Sequence, residues 1–532
     1  MKQLIIERNR YFDSVFLMRI SSELEKLDNV EQAVVAMATP VNLENLIRSG
    51  FQLGTDADTM KPADLIIAID ASSDEALAEV RGRLDTLLAG GTGDEASGSA
   101  VRPSSLSEAL VTDPAANLAL ISVPGTHASR EARQALRRGL HVMLFSDNVS
   151  VEDEITLKDE AISRGLLMMG PDCGTAILNG AALGFANVCR PGAIGIVGAS
   201  GTGIQEISSL VHQLGGGISQ AIGTGGRDLS ANVGGRMTRF GIEALGRDPG
   251  TVVIVVVSKT PSPTVSERVM EALAVTGKPA VVHFIGGRAE KLSDKTETTA
   301  TLADAARVAV AKAGIDIEVT SRIQTAFSLT AEETKQLAPK AGTEISSEAG
   351  LSQRAPAGAR VVGFYCGGTL CQETWNILRQ ANCDVYSNVA GDKTKKIRPG
   401  DQETGHAVWD LGDDDFTVGK PHPMIEPSLR DERVAQAGED PSVGVVMADC
   451  VIGYGAHDNP AGSLASAALR AFASAKNDGR TLTIVASVTG TENDPQHLHL
   501  QQKILTEAGI LVAPSNAAAA HTAVHWMKGD LP

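Results

Sequence analysis

The sequence predicts an α/β protein of several domains, and three observations carry that expectation. The chain has 532 residues, more than one hydrophobic core covers. From about residue 106 onward, short apolar runs alternate with helical patterns, the mark of parallel sheets covered on both faces. One strand–turn–helix pattern also occurs twice: G-T-x-x-Q-E follows an apolar strand at Gly201–Glu206 and again at Gly368–Glu373.

Composition narrows the function classes. Lys plus Arg number 47 and Asp plus Glu 64, giving a formal net charge of −17. So acidic a chain is repelled by nucleic acid and by anionic membrane surfaces, so neither is expected as a partner. The N-terminal MKQLIIERNRYFDSV breaks its apolar run at Glu7 and Arg8 and shows no cleavage-type region. The longest apolar run, Val252–Val257, falls far short of the ~20 residues of a membrane helix. The expected location is the cytoplasm. Six cysteines (173, 189, 366, 371, 383 and 450) form no CxxC pair, so no zinc or other metal site and no redox couple is expected.

Residues 1–88 read as a small α+β unit. Leu4–Ile6, Ala33–Met37 and Asp64–Ile69 are strands, Glu75–Leu88 is a helix, and Val15, Leu17, Met18, Ile20, Leu24 and Leu27 form the stripe of another. Gly90–Ser105 is Gly/Ser-rich and reads as a linker. In block 106–187, Asn117–Val123, His141–Phe145 and Leu166–Met169 are strands between helices, predicting a doubly wound parallel sheet. Glu152, Asp153 and Glu154 suit the first turn of a helix starting near Val151. Block 190–337 holds strands at Ala193–Val197, Thr251–Val257 and Ala280–Ile285. A second linker, Ala338–Arg360, leads to block 360–532, with strands at Arg360–Phe364, Val443–Met447 and Leu482–Val488.

The duplicated motif is where chemistry is expected. Small residues at a strand-to-helix turn let the backbone approach a ligand. The free N–H groups of the helix's first turn, with the dipole behind them, attract an anion. Ser200, Gly201 and Thr202 are the candidates in the first copy, and Gly367, Gly368 and Thr369 in the second. One copy alone reads as an ordinary capped turn. Two equivalent copies read as a phosphate site shared between two helix starts. Neither copy fits the G-x-x-x-x-G-K-[ST] loop or a dinucleotide fingerprint.

These strings carry a resemblance. Asn117–Gly180, ending in Gly170-Pro-Asp-Cys-Gly-Thr175, resembles the CoA-binding part of the succinyl-CoA synthetase α subunit. Gly192–Gly287 resembles that subunit's second domain, and residues 360–525 resemble the C-terminal domain of the β subunit. The resemblance implies a Rossmann-like CoA-binding-type domain and two flavodoxin-like ligase domains behind the small N-terminal one. Tyr11–Val15, Thr39–Asn42, Gly198–Glu206, Gly225–Leu229 and Asp410–Glu426 resemble the FdrA family in particular.

The chain departs from the synthetases at three places, one being the Gly-rich CoA phosphate loop at the head of their α subunit, which is not evident here. Where they carry a phosphorylated histidine, Gly286–Asp294 has none, and the linker at 338–360 is too short to be an ATP-grasp domain. The FdrA resemblance implies a carbamoyltransferase subunit of allantoin catabolism working with partner proteins, converting carbamoyl phosphate plus oxamate into oxalurate plus phosphate or the reverse. The synthetase resemblance implies instead an acyl-CoA synthetase with CoA as cofactor or thioester partner. A third reading is a non-catalytic scaffold subunit. On the first reading Arg227, Lys420 and Arg430 are candidates for oxamate's carboxylate, since a guanidinium offers a bidentate fork.

Single residues keep two readings. His457, in the loop after a buried strand, is a candidate acid–base group or a surface histidine. His422, between two prolines, is a site residue or a turn residue. Glu206 is a candidate catalytic residue that orients a partner loop, or an acid that suits the helix dipole. His283 reads as a core histidine. Asp413–Asp415 read as a solvated loop, with a divalent metal as the alternative. Thr489–Pro495 is expected to border the ligand crevice.

Overall fold

A computed structural model describes residues 105–315, 359–401, 405–417 and 421–528, and before them 2–10, 29–39 and 64–90 with scattered positions between. The chain forms two compact units, Met1–Thr112 with Gly419–Pro421, and Asp113–Val418 with His422–Pro532. Most of the linkers expected at Gly90–Ser105 and Ala338–Arg360, and Lys420, lie outside the described residues.

In the first unit, β1 (Lys2–Glu7), β2 (Val30–Met37) and β3 (Leu65–Ala71) form an antiparallel sheet in the order β1-β3-β2. β3 is buried almost throughout because it lies between the other two strands. Alternation places Leu65, Ile67 and Ile69 against Leu17, Ile20, Leu24 and the Asp74–Gly90 helix. The other face meets Leu46 and Phe51. Leu17, Ile20 and Leu24 thus lie on the buried face expected of them. The Leu106–Thr112 helix, read from sequence as the start of the second block, groups with this unit.

The second unit opens with β4 (Leu118–Ile121), β5 (His141–Leu144) and β6 (Met168–Met169), a three-stranded parallel sheet. The helix at Val151–Ser163 starts where expected, because the Ser150 hydroxyl accepts the Asp153 N–H. A complete doubly wound sheet does not form here. Instead β7 (Thr175–Leu178) and β8 (Ala181–Gly184) make a hairpin that joins the next sheet, antiparallel to its edge. The boundary expected at residue 187 therefore falls inside the following sheet's territory. Buried Thr175 and Ala176, packed against the neighbouring domain, draw the hairpin there.

That sheet continues with β9 (Pro191–Ala199), β10 (Ile218–Gly223), β11 (Val253–Ser258), β12 (Ala280–Phe284), β13 (Glu290–Lys291) and β14 (Thr296–Thr298). Its order is β13-β14-β12-β11-β9-β10-β7-β8. The last sheet holds β15 (Arg360–Tyr365), β16 (Val385–Ser387), β17 (His406–Asp410), β18 (Val443–Val451), β19 (Thr483–Thr489) and β20 (Leu511–Ala513), in the order β16-β17-β15-β18-β19-β20. Counted from the strand before each repeated motif, the first sheet's parallel strands run 2-1-3-4-5. The last sheet repeats this with β17 inserted beside its first strand. The internal repeat is thus a repeat of topology, the flavodoxin-like order. One core joins both copies: Ile204, Ile207 and Leu210 of the first repeated helix share it with Leu370, Trp375 and Leu378 of the second.

Candidate functional site

Each repeated helix begins at the carboxyl end of its sheet's first strand. β9 lies between β10 and β11, and β15 between β17 and β18. In both places the chain leaves the strand where the order reverses, the position at which open parallel sheets bind ligands. Ser200 is the N-cap of the Gly201–Gln213 helix; its extended backbone lets Oγ accept the Gly203 N–H at 3.1 Å. Gly367 caps the Gly368–Gln380 helix without a side chain.

These two helix starts meet. Ser200 Oγ and Thr369 Oγ1 share a hydrogen bond of 2.6 Å, and a methyl group on Gly367 would stand 2.9 Å from Thr202 Cγ2. Ser200, Thr202 and Thr369 are all buried. At both starts the first helical N–H groups, those of Gly201 and Thr202 and of Gly368 and Thr369, have no intrahelical acceptor.

The second start is also ringed with acids. Buried Asp449, on β18, accepts the N–H groups of Cys366 at 2.7 Å and Gly367 at 2.8 Å. Gly367, a candidate phosphate ligand, therefore has its N–H committed to a carboxylate, which leaves Gly368 and Thr369 as the donors of that copy. Asp410 ends β17, and its Oδ2 would lie 2.3 Å from a methyl group on Gly368, so any side chain there would have to displace the carboxyl. Its Oδ1 accepts the Gly412 N–H at 3.0 Å. Burial pushes the Asp410 carboxyl up to about 7, against the pull of the Lys259 cation. Lys259 is exposed, one residue beyond β11, and its charge is also felt by Asp172.

The other candidates fall elsewhere. Glu206 is buried and both its oxygens are committed: Oε2 accepts Thr489 Oγ1 at 2.5 Å and Oε1 accepts the Asn516 N–H at 3.1 Å. It braces the Asn516–Lys528 helix and is not presented to a ligand. Arg430 is 1% exposed, and its guanidinium bonds Asp431 at 2.8 Å, the Asp449 carbonyl at 3.0 Å and the Pro460 carbonyl at 3.2 Å. Its fork is spent in the core, so it offers nothing to oxamate. Arg227 is half-exposed and tied to the Val149 carbonyl at 2.8 Å and Glu154 at 2.9 Å.

His457 is partly exposed, and its Nδ1 accepts the Asn459 N–H at 3.0 Å. His422 packs 5.7 Å from the Phe185 ring and uses Nδ1 on the Met424 N–H at 3.2 Å. Burial pushes it down to about 4, so it is neutral at pH 7. His283 is a core histidine: Nδ1 meets the Thr299 carbonyl at 3.1 Å, while Nε2 has no partner among the described residues. Asp414–Thr417 form a helical turn in place of an open loop. The Thr489–Pro495 loop docks on the segment before β9, where buried Asp494 accepts the Val188 N–H at 2.7 Å and Asn187 Nδ2 at 2.8 Å.

Sequence reasoning missed Asp410, Asp449, Lys259 and Glu373. Asp410 and Lys259 sit at the carboxyl ends of parallel strands, a signal open to the reader once the strands are placed. Asp449 lies inside an apolar run and gave no such signal. It also missed the buried pairing of Lys158 with Glu154 at 2.7 Å and Asp228 at 2.8 Å. There Asp228 accepts the Thr238 N–H at 2.8 Å near the start of the Arg236–Arg247 helix, so the Gly225–Leu229 string has a structural task.

Comparison with known proteins agrees with this architecture. Residues 364–525 match the CoA-ligase family and residues 190–286 the CoA binding domain family. The latter is the segment read above as the α-type ligase domain, one block later than the expected CoA-binding part. Residues 1–103 match the AllF heavy metal-associated domain. That stretch contains no cysteine and no histidine, so it offers neither thiolate nor imidazole to a metal. Among the described residues no group of three or more His, Cys, Asp or Glu is placed to hold a metal ion. No described helix is long and apolar enough to cross a membrane.

Two succinate–CoA ligase α subunits are similar over a third of the chain. That of Trichomonas vaginalis is 30% identical over 32% of the chain, and that of Aquifex aeolicus 29% identical over 33%. The chain spans only 57% and 58% of those subunits' lengths. YahF of Escherichia coli is 42% identical over 97% of this chain and 96% of its own. The chain belongs to the family of YahF, with CoA-binding and CoA-ligase domains of the succinyl-CoA synthetase type behind a small N-terminal domain.

Proposed function

We propose that this chain is the phosphate-handling subunit of an enzyme that moves an acyl group between a phosphate oxygen and an acceptor, with CoA as the acceptor. The observation that carries the reading is the meeting of two equivalent helix starts at Ser200 and Thr369. The first-turn N–H groups of both helices, which have no intrahelical acceptor, and the helix dipoles then act on one anion. Such donors stabilise charge that gathers on phosphate as its bond to the acyl carbon breaks. The loop Gly286–Asp294 carries no histidine to relay a phosphoryl group. On this reading the phosphate arrives already joined to the acyl group.

The match of residues 1–103 to the AllF domain, with the FdrA resemblance, favours a second reading: carbamoyl phosphate as donor and oxamate as acceptor. Both readings use the same phosphate site and differ in the acceptor. The test is phosphate release by the chain with its co-purified partners. Acetyl or succinyl phosphate with CoA is compared with carbamoyl phosphate with oxamate. The first reading expects CoA-dependent release and the second oxamate-dependent release. Release that survives the joint replacement Thr202→Val and Thr369→Val would leave the chain a scaffold.

A further inference from the structure

The group left unexplained at the paired helix starts is Asp410. It is 7% exposed, yet only Oδ1 has a hydrogen-bond partner among the described residues, the Gly412 N–H. Oδ2 is aimed at Gly368, the first residue of the second repeated helix, and would stand 2.3 Å from a methyl group there. With no donor on Oδ2, the ionised form of so buried a residue is disfavoured. Here it lies beside the helix-start N–H groups that the phosphate reading assigns to the substrate. The titratable groups around it come from several elements: Asp449 on β18, Asp413 on its own loop, the neutral Cys371 thiol on the repeated helix, and Lys259 beyond β11. Only Lys259 is positive.

We propose that Asp410 is the catalytic residue that exchanges a proton with the substrate held between the two helix starts. This rests on the phosphate-site reading above. In the transfer direction the acceptor's S–H or N–H attacks the carbonyl carbon of the acyl phosphate. The new S–C or N–C bond forms while the C–O bond to phosphate breaks, and its electron pair leaves with phosphate. The acceptor's proton passes to Asp410 Oδ2. In reverse Asp410 returns it. A carboxyl so near its own midpoint at neutral pH does both. An ionised Asp410 also weakens, without abolishing, the hold of the helix starts on the anion.

Sulfate is the probe, because unlike phosphate it does not titrate near neutrality. Calorimetric titration of the full chain is expected to show sulfate affinity falling about tenfold between about pH 5.5 and about pH 8.5. Asp410→Asn keeps an oxygen for the Gly412 N–H and should bind sulfate with no such fall. Lys259→Met, an exposed change that leaves the fold intact, should move the fall to higher pH. In the assay with partners, Asp410→Asn should lower kcat at least a hundredfold and remove the pH limb near neutrality. A parent affinity that does not change with pH, or a fall that persists in Asp410→Asn, overturns the role of Asp410. Absence of sulfate binding at any pH overturns the phosphate-site reading itself.

Discussion

Glu206 and Glu373, equivalent residues of the two repeated helices, are joined through one residue. Asn516 gives its backbone N–H to Glu206 Oε1 at 3.1 Å and its side-chain amide to Glu373 Oε2 at 2.8 Å. The exchange is reciprocal between the repeats. Glu206, from the first repeat, holds the start of the last helix of the second. Glu373, from the second, accepts the N–H of Leu302 at 2.8 Å, the start of the Leu302–Lys312 helix of the first. Each carboxylate meets the positive end of a helix dipole. The two halves are thereby locked at the second turn of the helices whose first turns form the candidate site.

Removing the bridge should loosen the halves. Asn516→Ala leaves Glu373 Oε2 and the Leu370 carbonyl without their donor. The expected loss is about 1–3 kcal/mol in denaturant unfolding. An unchanged midpoint would mean that the bridge is not a significant tie.

Stability should also depend on pH through Glu373. Burial pushes its carboxyl up to about 7. The folded state therefore holds a proton that the unfolded chain has released above its ordinary carboxylate range. The sign follows: this contribution to stability is fully present at low pH and is lost as pH rises from about 4.5 through about 7. Glu206 is raised by burial as well and adds in the same direction. Glu373→Gln should flatten this part of the stability profile, read by unfolding at a series of pH values.

The hydroxyl pair should behave as a coupled unit. Ser200→Ala removes both the cap on Gly203 and the bond to Thr369, and should cost about 1 kcal/mol of stability. Thr369→Val removes the second bond alone. In a double-mutant cycle on sulfate affinity, the two changes should show a coupling of about 0.5–3 kcal/mol. Strict additivity would argue that the two helix starts act on different ions or on none.

Gly201→Pro is a sharper test than an alanine series. Gly201 is the first residue of its helix, where proline's fixed φ is tolerated and its missing N–H breaks no intrahelical bond. The residue before it, Ser200, already has the extended backbone that a following proline requires. The variant is expected to fold with an unchanged circular dichroism spectrum and to lose anion affinity. Equal affinity in variant and parent would remove Gly201 from the cradle.

Arg430 should matter to stability and not to ligand. Arg430→Met leaves buried Asp431 without its counter-ion and the Asp449 carbonyl without this donor. Breaking a buried pair from one side typically costs about 3–5 kcal/mol. The thermal midpoint should drop while any remaining folded protein binds sulfate as the parent does. A selective loss of oxamate-dependent activity without loss of stability would return Arg430 to the substrate.

How much was legible depended on range. Strand and helix identity came from periodicity, so Leu17, Ile20 and Leu24 and the strands at His141, Val253 and Arg360 were found where expected. The repeat was visible because a backbone needing small residues and a cap repeats its letters as well as its shape. Arg430 and Glu206 were misread because exposure is not written in residue type: each is charged, and each is buried with its partners drawn from distant segments.

Sequence alone determined that two equivalent capped helix starts exist, since turn chemistry and helix termination act over a few residues. It did not determine that Ser200 and Thr369 touch, that Asp449 claims the Gly367 N–H, or that Asp410 faces Gly368. Those relations join residues 42 to 169 positions apart. They arise only when two sheets pack their helices into one core, and that packing energy is spread over many side chains that no local pattern reveals.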